Sequence, residues 1–379
     1  MKVLRIAFVT PLSPLKGGIA RFSGLLMDAL RARGYDVQPI AFRALYPDFL
    51  TKGATEESSA ATLQPSQSRL VLFNPFTWPG TIRQLIALKP DILLVAYWTG
   101  FLAPLYYVLR RFTGIKTVVL LHNLSSHDSF FFEPLMQRLL AASSDGFLTL
   151  SGVVSREVRA AMPHIPSRQL FHPFYEPEAD MPSASVARRA LKLDPEAPVM
   201  LFFGYVRHYK GLDIMLRAMP AILRQAPSLR LVVAGQFHQS PDRYRKLIGQ
   251  LGIGGSVDLY PGYVSRERSA LFFAAADAVV LPYRSATQSG VVQLAYGHGL
   301  PVIVTPVGAL PEMVRHTETG WVARDASPEG FAAAVGEFLD SGDKLPAMQS
   351  DIASFRNELS WEAFASAAGT FLESEAFGR

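Results

Sequence analysis

Short runs of β-branched and apolar residues, each followed by a stretch with helical periodicity, recur along this chain in two series and constrain its fold more than any other feature. Runs of that length bounded by turn residues read as buried strands. Their alternation with helices predicts βα units on parallel sheets. In the first series the predicted strands are 4–9, 37–42, 92–96, 117–121, 147–150 and 169–172. A helical pattern from Ala20 to Arg33 stops at Gly34, a glycine placed to end a helix. The small polar stretch 51–68 is expected to be a long loop.

After His172-Pro173-Phe174-Tyr175 the pattern breaks into prolines, acids and small residues, so 176–195 is expected to be an interdomain linker. The second series follows, with predicted strands 199–203, 229–234, 257–260, 278–282, 302–305 and 321–323. The fold class is therefore α/β: two doubly wound parallel-sheet domains, 1–175 and 196–360, expected to face each other across a cleft, with 361–379 returning onto the first. Ligands of such sheets bind outside the carboxyl ends of the strands, which is where chemistry is to be sought.

Composition narrows the classes that remain. At 49% hydrophobic and 18% charged residues the chain is too apolar for disorder. Without cysteine it has no disulfide framework, thiolate zinc site, iron–sulfur cluster or cysteine nucleophile. No signal-peptide core and no long uninterrupted apolar run is evident, so a cytoplasmic protein is expected. Residues 1–175 carry 18 Lys+Arg against 10 Asp+Glu, whereas the whole chain carries 37 against 32. The first half is thus +8 and the rest −3, and a basic half suggests an anionic partner. Nucleic acid, a phospholipid surface and a phosphorylated acceptor all fit that sign, as does a solvated basic face. No basic run interleaved with aromatics supports nucleic acid.

Three turns carry candidate chemistry. The first, Pro11 to Arg21, lacks GxGxxG and GxxxxGK[ST], but its Gly17-Gly18 pair precedes a helix, where free N–H groups can approach a phosphate or sugar oxygen. The second, Gly204-Tyr205-Val206-Arg207-His208-Tyr209-Lys210-Gly211, sets two cations at a strand end, suited to neutralising a diphosphate. The third, Thr287-Gln288-Ser289-Gly290-Val291, offers hydroxyls and unpaired N–H groups at a helix start. No Asp-x-Asp or His-x-x-x-His spacing suggests a metal, and no cofactor is expected.

Taken with Val232-Val233-Ala234-Gly235, the run FFAAADAVVLPYRSATQSGVVQLAYGHGLPVIVT and Val307-Gly308-Ala309-Leu310-Pro311-Glu312, these turns resemble family-4 retaining glycosyltransferases, the glycosyl transferase group 1. The resemblance covers nearly the whole chain and implies the GT-B fold of two Rossmann-like domains, with a nucleotide-sugar held mainly by the second. It implies that Arg207 and Lys210 bind the donor diphosphate, and that His122, at a strand end, contacts the donor sugar near the reacting carbon. Gly17, Gly18, Gly204, Tyr263, Val264, Thr287, Gln288, Ser289, Gly290 and Val291 are the implied donor contacts. Trp98 and Asn123 are candidates for the acceptor, although core packing suits Trp98 equally. His127 and Asp128 have the spacing of an acid/base pair or of a solvated loop.

Two departures stand out. The family arginine sits nearer Gly204, where this chain has Tyr205. Anchored on Gly299-Leu300-Pro301, the family's pair of glutamates falls on Ala286 and Leu294, so neither carboxylate is present. The resemblance implies a retaining, metal-independent transfer from a UDP- or GDP-sugar to a hydroxyl acceptor, with a lipid-linked glycan of surface polysaccharide synthesis preferred and peripheral contact with an anionic membrane. The alternatives are a nucleotide-sugar epimerase of the same fold and a noncatalytic binding protein.

Overall fold

The computed structural model describes residues 3–15, 17–45, 70–124, 132–175, 181–342 and 345–374. The chain divides into two compact units, Met1–Phe171 with Trp361–Arg379, and His172–Ser360.

The first unit runs β1 (Arg5–Thr10), α1 (Gly18–Ala32), β2 (Asp36–Ala44), β3 (Leu70–Val71), α2 (Trp78–Leu88), β4 (Ile92–Tyr97), α3 (Ala103–Thr113), β5 (Thr117–Leu121), α4 (Glu133–Ser143), β6 (Gly146–Thr149), α5 (Gly152–Ala161) and β7 (Ser167–Gln169). Its parallel sheet has the order β3-β2-β1-β4-β5-β6-β7, so the direction of winding reverses between β1 and β4. Successive residues of β1 point to opposite faces: Ile6 and Phe8 enter one core, Ala7 and Val9 the other. Helix α1 buries Phe22, Leu26 and Leu30, four residues apart, on the Phe8 side.

The second unit runs α6 (Ala184–Ala190), β8 (Val199–Phe203), α7 (Leu212–Gln225), β9 (Arg230–Gly235), α8 (Asp242–Leu251), β10 (Val257–Pro261), α9 (Arg266–Ala275), β11 (Ala278–Leu281), α10 (Gly290–Gly297), β12 (Val302–Val304), β13 (Gly320–Val322), α11 (Pro328–Leu339) and α12 (Leu345–Glu358). Its sheet order β10-β9-β8-β11-β12-β13 repeats the doubly wound pattern, with the reversal between β8 and β11. The final helix, α13 (Trp361–Leu372), packs on α1 through Trp361 and Phe364, whose rings meet Phe22 at 5.0 and 5.7 Å.

The structure differs from the sequence reading in three places. The stretch expected as a linker contains α6: Ala187, Leu191 and Leu193 are buried in the second unit's core, and Arg188 makes a two-pronged bond to Asp277 at 2.8 Å. Proline and acid content marked this segment as a tether, but its spaced apolar residues had a sheet to cover. Strand β7 lies earlier than 169–172, because Ser167 to Gln169 pair with Phe147 to Thr149. Strand β3 has only two residues, too few to leave a periodic signal. The loop expected over 51–68 and the pair His127/Asp128 lie outside the described residues.

Candidate functional site

In the second unit, loops from both sides of the sheet reversal meet. Gly204 follows β8 with φ 96°, and a Cβ there would lie 3.3 Å from Lys210 Nζ and 3.7 Å from Val291 Cγ2. The strand end, the lysine and the first turn of α10 therefore occupy one place. Gly211, at φ 65°, fixes the contact from the other side: a Cβ would sit 1.9 Å from the carbonyl oxygen of Pro282, which follows β11. The Arg284 amide donates to the Tyr209 carbonyl at 2.7 Å, and its guanidinium grips Asp213 of α7 at 2.9 and 2.7 Å. Burial raises the Asp213 carboxyl, but the hydrogen bonds and charge of Arg284 outweigh it and hold the group below its ordinary range.

Lys210 is the cation of this cluster. It is 8% exposed and makes no salt bridge among the described residues; its ammonium lies 5.4 Å from the centre of the Tyr283 ring. Burial pushes its pKa down, Tyr209 opposes that shift and the charge of Arg207 adds to it. A buried cation held by a ring face alone is poised for an anion. Arg207 itself is exposed, on the extended residue before the 3-10 turn His208–Lys210.

The opposite wall is the start of α10. Ser289, 5% exposed, occupies the capping position in extended conformation, yet its hydroxyl is not used to cap the helix. Its partner is the buried Tyr283 hydroxyl at 3.4 Å. The first N–H groups of α10, from Gly290 and Val291, have no intrahelical acceptor by helix geometry and form a local positive end beside Lys210. Thr287 and Gln288 precede them, half-buried. Gly308, at φ 56°, lets the loop after β12 seat against Ala286, the Ala309 amide donating to the Ala286 carbonyl at 3.0 Å. Tyr263 and Val264 follow β10, two strands from this cluster; Tyr263 is 60% exposed and Val264 packs on the core.

In the first unit, His122 follows β5 and is buried, its amide donating to the Tyr97 carbonyl at 2.9 Å and its ring meeting Phe22 edge-on at 5.1 Å. Asn123 beside it is half-buried. Gly17, at φ 129°, and Gly18 begin α1 with open space where side chains would project. Trp98 packs against both cores of its unit, 6.3 Å from the Phe42 ring. Its neighbours Tyr97 and Thr99, not Trp98, line an apolar cleft of ≈ 310 Å³ in the same unit.

Sequence reasoning did not single out Tyr283, Asp213 or Arg284, which hold Lys210 and the α10 loop in place. A signal was present: Asp213 lies three residues after Lys210, and Tyr283-Arg284 open the SATQSG run.

Family models now bear on this geometry. Residues 17–173 match the glycosyl transferase 4-like domain and residues 197–341 the glycosyl transferases group 1 domain. The chain belongs to the group 1 glycosyltransferases. Among curated relatives, the D-inositol 3-phosphate glycosyltransferase of Streptomyces griseus is 34% identical over 195 residues, 49% of this chain and 41% of that protein. The chain thus spans about two-fifths of the length of that relative. Among solved structures, the sucrose-phosphate synthase of Thermosynechococcus elongatus aligns with a TM-score of 0.74 and 18% identity, covering 97% of this chain and 98% of that one. Anabaena HepE in complex with UDP-glucose aligns at 0.72 and 15% identity, over 98% and 100%. These similarities establish the GT-B fold for the chain.

Proposed function

We propose that this glycosyltransferase moves a sugar from a nucleoside-diphosphate donor to an acceptor hydroxyl with retention at the anomeric carbon and without a metal ion. The observation that carries the reading is the convergence of Gly204, Lys210, Ser289 and the α10 N-terminus at the β8/β11 reversal. A buried ammonium and a helix N-terminus suit the charge that grows on a departing diphosphate. In the step proposed, the bond between the anomeric carbon and the β-phosphate oxygen breaks and the acceptor oxygen bonds to that carbon from the same face. The acceptor's proton passes to the departing phosphate. Arg207, exposed beside Lys210, adds charge from solvent as the diphosphate arrives.

UDP is the preferred nucleotide, with GDP as the alternative, supported by the UDP-glucose held by the Anabaena neighbour. The proposed acceptor is a lipid-linked glycan in surface polysaccharide synthesis, reached by an enzyme at the cytoplasmic face of an anionic membrane. The basic first half supports it. No helix among the described residues is long and apolar enough to cross a membrane.

The test is nucleotide release from UDP- and GDP-sugars, with and without lipid-linked and D-inositol 3-phosphate acceptors and with chelator throughout. NMR of the product's anomeric proton reads the stereochemistry. An inverted product would end the retaining mechanism, loss of activity in chelator would end metal independence, and epimerised donor without acceptor would favour the epimerase.

A further inference from the structure

The ≈ 310 Å³ cleft of the first unit lies at the carboxyl edge of β4 and β5, walled by Trp78, Tyr97, Phe101, Phe132 and Met136. Nothing in the donor chemistry uses it. We propose that it takes the hydrocarbon tail of a membrane lipid, the tail of the lipid-linked acceptor, with its phenylalanine rim seated in the bilayer surface. The proposal rests on the acceptor reading above and specifies where the lipid part of that acceptor is held.

The chemistry of the wall favours hydrocarbon over sugar. A volume of this size is within the range of small-molecule sites, but a bound sugar needs many hydrogen-bond partners, and the wall offers one carboxylate, Glu133, with a few hydroxyl and amide groups. The rim adds a second observation. Phe73, Phe101 and Phe132 are 40%, 46% and 63% exposed, the rings of Phe73 and Phe101 lie 5.5 Å apart, and Phe76, 93% exposed, projects from the adjoining turn Pro75–Thr77. Large aromatic side chains grouped around the mouth of an apolar cleft mark a surface that is covered in use.

Charge decides which cover. The starts of α2, α3 and α4 all border the cleft, so three positive helix ends lie among its walls. Arg83 and Arg138, exposed and mid-way along α2 and α4, lie on helices that wall the cleft but do not themselves line it. The +8 of residues 1–175 suits an anionic lipid surface outside the cleft, while Glu133, the one charged residue that lines it, disfavours an anion within.

The experiment uses the full chain and a fluorescent long-chain fatty acid as probe. Dodecyl phosphate is expected to displace it and ethyl phosphate is not. Met136→Trp, which fills the cleft, is expected to weaken dodecyl phosphate roughly tenfold or more, the equivalent of about two buried methylenes. The exposed pair Phe101→Asp/Phe132→Asp is expected to abolish cosedimentation with phosphatidylcholine–phosphatidylglycerol vesicles, and Arg83→Glu/Arg138→Glu to remove only the part that depends on phosphatidylglycerol. Near-ultraviolet circular dichroism and a thermal melt of each variant check that the first unit is folded. Equal displacement by ethyl phosphate, indifference to Met136→Trp, or UDP binding without dodecyl phosphate binding would each overturn the lipid site. Dodecyl phosphate binding without any nucleotide binding would instead sink the transferase reading and leave the cleft standing.

Discussion

At the scale of single residues, the decisive feature is a lysine whose charge burial makes costly and a diphosphate would repay. Lys210→Ala is expected to raise the Kd for UDP about 10- to 100-fold, the range of a lost charge-assisted hydrogen bond, with the thermal transition little changed. Because burial lowers the Lys210 pKa, the wild-type protein should lose UDP affinity as pH rises through a value below the ordinary lysine range. The alanine variant should lack that alkaline limb, and a limb that persists in it would assign the effect elsewhere. His122→Ala is expected to lower turnover far more than donor affinity, read by splitting kcat from KM. His172 gives a different pH dependence. Burial lowers its pKa to about 4, against a weaker opposing bond to the Pro173 carbonyl, so the folded state keeps it neutral. Between the unfolded value, about 6.5, and about 4 the unfolded chain binds the extra proton. Stability should therefore fall as pH drops through that window, and less so in His172→Phe, by thermal melts across pH.

Among elements, the proposed donor site depends on loops that belong to different strands. Gly211 and Gly308 are needed because backbone from another loop occupies the space a side chain would take, 1.9 Å and 1.6 Å from a Cβ. Gly211→Ala also places a side chain at φ 65°. It is expected to reduce both melting temperature and UDP affinity, and retention of both would mean that the β8 and β11 loops are not held by that contact. The strands were legible because continuous apolar runs mark buried parallel strands. The short β3, the displaced β7 and the helix α6 were not, because a two-residue pairing has no periodicity and because α6 takes its place from what it covers.

For the molecule as a whole, the first unit is discontinuous in sequence. Helix α13 supplies Phe364, Ala365, Ala368 and Phe371 to the core that holds Phe8 and Phe22, and Tyr35 donates to Glu373 at 2.9 Å. Deleting 361–379 is therefore expected to lower the stability of the first unit sharply, and Phe364→Ala to cost about 3–5 kcal/mol. Residues 172–360, a continuous segment with its own two cores, should fold alone and bind UDP. Denaturant unfolding followed in each fragment checks both. The sequence by itself determined the two series of βα units, the three candidate turns and the family, because apolar periodicity and glycine-rich turns are local properties of a chain. Only the tertiary structure decided that Lys210 is buried over Tyr283, that Asp213 and Arg284 clamp its loop, and that Trp98 packs inward while Tyr97 opens on a cleft. Those outcomes depend on which loops the strand order brings side by side, and strand order is set by packing between segments far apart in the chain.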